Sequence, residues 1–159
     1  MIDYQLVLKE LDNIQTIQEP KEVKQLSQDY YYFSPILKPQ LQDKIADLVV
    51  MPTNEEEVLT VAKICVKYQI PLTVRGAGTG NYGQCVPLNG GIVLDMTKMK
   101  KIHWIKSGVA CVDSGIKMSL LEKETKKKGW ELRMIPSTYK IATLGGFIGG
   151  GSGGIWSLN

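Results

Sequence analysis

Residues Leu72 to Gly91 read LTVRGAGTGNYGQCVPLNGG. A β-like run, Leu72 to Arg75, breaks into glycines at Gly76, Gly78, Gly80 and Gly83. The spacing of Gly78, Gly80 and Gly83 fits G-x-G-x-x-G. In the Rossmann use of that motif a helix must follow at once, because its N-terminus faces the pyrophosphate. Here Gln84-Cys85-Val86-Pro87-Leu88-Asn89-Gly90-Gly91 follows. No helix can usefully begin in that segment, so the motif fails its own structural test. A P-loop fails too, because no Gly-Lys-Ser/Thr comes next. Glycines offer another route: main-chain N–H groups that approach an anion closely and form a concave nest, with neither helix nor lysine.

A second glycine-rich stretch supports that route. TLGGFIGGGSGGIWSLN begins at Thr143, with seven glycines among residues 145–154. Phe147, Ile148 and Ile155 interrupt the glycines, so this is no flexible linker. Gly150 to Gly154 also fits the G-x-S-x-G nucleophile elbow, with Ser152 in the centre. That chemistry needs a histidine after the serine. The only histidine, His103, precedes it and sits in a β-like run beside Trp104. Two small-residue loops, one from Arg75 to Gln84 and one from Pro136-Ser137 to Gly154, could clasp one extended ligand. Tight turns and close helix packing are the plainer reading of either loop alone.

The rest of the chain frames these loops. Residues 2–13 and 20–29 have helix-friendly composition. Asp47 to Pro52 reads as a short buried strand ended by proline. Thr53 and Glu56 then make a capping box. Val58, Val61, Ala62 and Cys65 fall on one helical face, up to an exit at Pro71. Strand, helix, strand in this order implies parallel pairing through a right-handed crossover. From Gly91 the rhythm shifts to short β-like runs, GIVLDM, KIHWI and VACVDSG. A helix is expected over Lys117–Lys128, with Leu120, Leu121 and Thr125 on one side and lysines on the other.

Composition sets limits. The chain has 159 residues, 43% hydrophobic and 22% charged, a globular balance with room for a core. A net charge of +3 is too small to argue for nucleic acid or a membrane surface, and the lysines between 98 and 128 read as a solvated face. Cys65, Cys85 and Cys111 are scattered, which suggests reduced thiols in a cytoplasmic protein; no metal site is expected. The N-terminus lacks the apolar core of a secretory signal, and no run reads as a membrane span.

Several segments, in order, carry a resemblance to a known family: P-x-x-x-E-E-V (Pro52 to Val58), P-L-T-V-R-G-A-G-T (Pro71 to Thr79), G-G-I-V-L-D-M (Gly90 to Met96), V-D-S-G (Val112 to Gly115), and P-S…T-L-G-G…G-S-G-G. Together they resemble the FAD-binding domain of the vanillyl-alcohol oxidase and p-cresol methylhydroxylase type. The nearest look is to glycolate oxidase and D-lactate dehydrogenase flavoproteins, and Ser27 to Pro35 is similar to their lead-in. The resemblance implies an α+β fold of two subdomains with FAD between them. Residues 1–40 would be a helical lead-in, about 41–90 the first subdomain, and 91–159 the start of the second.

Carried over by this resemblance, Gly76, Ala77, Gly78, Thr79 and Gly80 would meet the FAD pyrophosphate through backbone N–H groups. Gly83 and Gln84 would continue that contact. Ser137 and Thr143 would serve the flavin side, and Gly145, Gly146, Ser152 and Gly153 would line the second loop. Relatives with flavin attached through the first loop carry a histidine there. This loop has none, so noncovalent FAD is expected. The implied activity is oxidation of a 2-hydroxy acid or similar alcohol by hydride transfer to flavin, with no catalytic base assigned within this chain. Arg75 reads equally as an anion partner or as a residue that orders its loop. The family's patterns continue past the second loop into a substrate-capping domain. That region is expected from a longer chain or a partner subunit; the alternative is a non-catalytic flavin-binding or interaction module.

Overall fold

A computed structural model describes residues 2–153. The first part of the chain runs α1 (Tyr4–Glu10), β1 (Gln15–Ile17), α2 (Pro20–Leu26), a 3-10 turn (Tyr30–Phe33), α3 (Lys38–Leu41), β2 (Leu48–Met51), α4 (Glu55–Tyr68), β3 (Leu72–Arg75) and β4 (Ile92–Asp95). After a second 3-10 turn (Met96–Lys98) come β5 (Ile102–Lys106), β6 (Val109–Val112), α5 (Met118–Lys126) and α6 (Leu144–Gly149). The fold is thus mixed helix and sheet, as expected.

Four strands make one sheet in the order β1-β2-β4-β3. β4 pairs in parallel with both β2 and β3, so Ile92 stands level with Leu48 on one side and Leu72 on the other. The strand–helix–strand unit is present, but its two strands do not touch. All four residues of β4 are buried, which suits the centre of a parallel sheet, whereas β3 leaves Val74 58% exposed and takes the edge. β1, which was not expected, adds antiparallel to the outside of β2.

Successive strand residues point to opposite faces, and both faces are covered. Leu48, Val50, Ile92 and Leu94 pack with Val7 and Leu11 from the α1 region and with Val61, Ile64 and Cys65 of α4. Val49 and Val93 pack on the other face with Val23 of α2 and Ala46. The sheet therefore crosses both expected divisions. Residues before 40 supply β1 and core side chains. β4 lies beyond residue 90 yet completes the first sheet, and the second sheet begins only at Ile102.

The α4 start lies one residue later than expected. Asn54, with extended φ −153° and ψ 170°, caps the helix by accepting the Glu57 N–H at 3.0 Å. Glu57 reaches back and accepts the Thr53 N–H at 2.7 Å. The box is Asn54 with Glu57, not Thr53 with Glu56. Within the helix, Ile64 is buried and Ala62 only half-buried. Gln69 ends it in the left-handed region at φ 53°.

The second sheet is the β5–β6 hairpin. Ser107 and Gly108 both take positive φ, 47° and 78°, which matches a two-residue hairpin turn. α5 is shorter than expected and turned differently. Met118, Leu121, Glu122 and Thr125 are buried, while Leu120 is 41% exposed. Buried Glu122 is satisfied by the Leu132 N–H at 2.7 Å and by Lys126 at 2.9 Å.

Replacing Asn54 with alanine strands the Glu57 N–H and is expected to cost about 1 kcal/mol of stability. Thr53→Ala removes only two exposed side-chain bonds, to Glu57 and from Asn54, and should cost less than half of that. Urea unfolding of the two variants checks the order.

Candidate functional site

The first glycine loop leaves the sheet at the C-terminal end of β3. Arg75, the last strand residue, is only 7% exposed. Its Nη1 donates to the Gln28 carbonyl at 2.6 Å and lies 3.3 Å from Cys85 Sγ. The guanidinium sits directly under Gly78, where any Cβ would collide with it, and Gly78 itself has φ 65°. Of the two readings open for Arg75, the geometry selects the loop-ordering one.

Asp29 pins the far end of the loop. Its Oδ1 accepts the Tyr31 N–H at 2.8 Å and its Oδ2 the Gly83 N–H at 2.9 Å. The Tyr30 N–H adds a bond to the Gly80 carbonyl at 2.8 Å. Burial pushes the Asp29 carboxyl above its ordinary value, against the pull of the Tyr31, Gly83 and Gln84 N–H groups and the Arg75 cation. The lead-in Gln28–Tyr31 is thus the clasp of the first loop.

Between these two anchors lies a row of open donors. Among the described residues, no backbone N–H from Gly76 to Gly80 has a protein acceptor. Buried main-chain donors are almost always paired. Five half-buried ones in succession, with no helix behind them, are the kind of donor row an anion nest uses.

The second glycine stretch is not a loop throughout, because Thr143 caps α6 by accepting the Gly146 N–H at 3.3 Å. Leu144, Phe147 and Ile148 have helical spacing, but the glycines around them weaken that signal. Gly76 and Gly146 let the two glycine segments meet: a Cβ on Gly76 would strike the Thr143 hydroxyl, and one on Gly146 would lie 2.9 Å from it. Gly145 makes a similar approach to Ser114, donating its N–H to the Ser114 carbonyl at 2.7 Å.

A cleft of about 360 Å³ opens between the two segments, within the usual range for small-molecule sites. Gly76, Ala77, Gly78, Thr79, Gly80 and Gln84 form one wall. Thr143, Gly145, Gly146 and Ser152 form part of the other. Three expected residues do not line it. Gly83 is corrected as a phosphate donor, since its N–H is already given to Asp29 and its φ of 77° serves the turn. Ser137 is exposed, although its neighbours Pro136 and Thr138 do line the cleft. Gly153 is exposed beyond α6. The expected end of this segment, Gly154 and Ile155, lies outside the described residues.

Sequence reasoning missed Asp29, Met96, Ser114 and Thr138 on the cleft wall. Asp29 and Gly83 are 54 residues apart, a pairing no local spacing reveals. The serine-elbow reading finds no support: Ser152 follows a helix instead of ending a strand, and His103 pairs with Asp113 at 2.8 Å on the hairpin. Among the described residues there is no cluster of histidine, cysteine and carboxylate able to hold a metal, and no helix long and apolar enough to cross a membrane.

Comparison with known proteins identifies the family. Residues 46–159 match the FAD binding domain family. A glycolate oxidase subunit of Bacillus subtilis is 34% identical over 122 residues, covering 76% of this chain and 26% of the relative. Among solved structures, an alkyldihydroxyacetonephosphate synthase superposes with a TM-score of 0.79 at 25% identity, over 91% of this chain and 31% of that one. p-Cresol methylhydroxylase superposes with a TM-score of 0.64 at 20% identity, over 83% and 26%, a likeness of fold. The chain belongs to the FAD-binding-domain family, with the fold of the p-cresol methylhydroxylase type and FAD as its cofactor. It spans about a quarter of the length of the curated relatives it matches.

The residues present fit that cofactor. The nest supplies donors suited to a pyrophosphate, the glycines leave a cradle that side chains would fill, and the Ser114 hydroxyl is buried without a partner. Gly78→Val should weaken FAD binding at least tenfold, because its side chain meets the Arg75 guanidinium and disfavours the positive φ. Lys127→Ala, on an exposed lysine paired with Glu124, should leave affinity within about twofold. Flavin titration of the two folded variants measures both, and equal affinities would remove the first loop from the site.

Proposed function

We propose that this chain is the pyrophosphate-clasping part of an FAD-dependent oxidoreductase that oxidises a 2-hydroxy acid or a similar alcohol. The observation that carries the cofactor half is the row of acceptor-free N–H groups from Gly76 to Gly80 on one wall of the cleft. The substrate half rests on the glycolate oxidase relative, since glycolate is the simplest 2-hydroxy acid.

In this reading Gly76, Ala77, Gly78, Thr79 and Gly80 hold the pyrophosphate with main-chain dipoles, and Gln84 continues that wall. Thr143, Gly145 and Gly146 shape the facing wall, with Ser152 at its end. When bound, FAD supplies the hydride acceptor for the alcohol carbon. The chain's own part is to bind, orient and seal. Arg75 and Asp29 keep the donors fixed before the ligand arrives, so little ordering cost falls on binding. The first loop has no histidine, which supports noncovalent attachment. Because the chain spans about a quarter of its curated relatives, we place the substrate site and its base in the remainder of such a protein or on a partner subunit.

The purified full-length protein should release intact FAD on mild denaturation, seen by its absorption and mass. Anaerobic mixing with glycolate, lactate and longer 2-hydroxy acids should then bleach the bound flavin with saturation in at least one of them. Release of a nicotinamide nucleotide with no flavin would overturn the cofactor reading. Intact flavin that none of these acids reduces would overturn the substrate reading.

A further inference from the structure

Ser114 lies in the turn between β6 and α5, on the wall of the same cleft. Among the described residues its Oγ is the buried side-chain oxygen that has no hydrogen-bond partner. Serines in turns usually bond to nearby backbone. This one does not, and each buried polar group without a partner calls for an explanation.

The turn around it is held from both sides. The Ser114 carbonyl takes the Gly145 N–H at 2.7 Å, and a Cβ on Gly145 would lie 2.7 Å from Ser114 Cβ. Gly115 packs directly on the Met96 carbonyl, with the Met99 carbonyl 2.6 Å from where its Cβ would sit. The backbone of Ser114 therefore cannot shift to find its hydroxyl a partner. The hydroxyl is buried as it stands, but the residue lines the cleft and is only half-buried, so a turn about the Cα–Cβ bond is the route by which it can meet a ligand there.

We infer that Ser114 is a hydrogen-bonding contact of the bound FAD, which completes the hydroxyl that the protein leaves unsatisfied. The inference rests on the FAD reading above. It makes a paired expectation that a structural serine would not meet. Truncating a hydroxyl that is satisfied only by the ligand weakens the complex and leaves the ligand-free fold untouched.

The experiment titrates FAD into flavin-stripped wild type, Ser114→Ala and Ser114→Cys, and records the thermal midpoint of each FAD-free form. Ser114→Ala should raise Kd about 3- to 10-fold, the effect of one hydrogen bond, with the FAD-free midpoint unchanged or higher. Ser114→Cys, which keeps a weak donor, should fall between it and wild type. An unchanged Kd in Ser114→Ala would overturn the Ser114 contact alone. A lowered FAD-free midpoint would also overturn it, by showing that the hydroxyl serves the fold. Failure of wild type to bind FAD would overturn the FAD reading, and this inference with it.

Discussion

The site depends on one buried cation, Arg75, that orders the first glycine loop. Arg75 ends β3, turns under the first glycine loop and bonds to the Gln28 carbonyl. A buried guanidinium needs acceptors, and here a main-chain carbonyl and the nearby Asp29 carboxylate surround it. Its position explains why Gly78 must lack a side chain. It also explains why the lead-in, far away in sequence, is fastened to the loop. With Arg75 below and Asp29 at the far end, the chain from Gly76 to Gly80 has its carbonyl at Gly80 taken and its N–H groups left open.

In the proposed reading, charge at the site is met by dipoles. The charged side chain on the described cleft wall is Asp29, and its carboxylate is already engaged by backbone N–H groups. The many lysines lie elsewhere on the surface, and all of them are exposed. Fixed main-chain donors hold a pyrophosphate without long, mobile side chains to immobilise. The glycine pair Gly76 and Gly146 does the complementary work of bringing the second segment close enough to close the cleft.

Much of this was legible in the residues themselves. Pro52, Pro71 and the apolar runs before, between and after them gave β2, α4 and β3, and the residues after Gly83 ruled out a helix behind the first loop. The capping box was misplaced by one residue because Thr53 and Asn54 both suit an N-cap, and only backbone conformation chooses between them. β1 is three residues long and carries no periodic signal. The central place of β4 depends on which strand is most deeply buried, which strand order in sequence does not state. α6 was hidden because glycine disfavours a helix in isolation, while here Thr143, Phe147 and tight packing outweigh that preference. Asp29 and Ser114 owe their places to contacts made across long stretches of chain.

The central claim is that the open N–H groups from Gly76 to Gly80 receive the FAD pyrophosphate. Amide hydrogen exchange of these five residues, followed by NMR with and without FAD, measures it most directly. The account predicts that their exchange slows clearly on FAD binding, while the amides of Tyr31 and Gly83, already bonded to Asp29, change little. Saturation with FAD that leaves the amides of Gly76–Gly80 exchanging as before would contradict it.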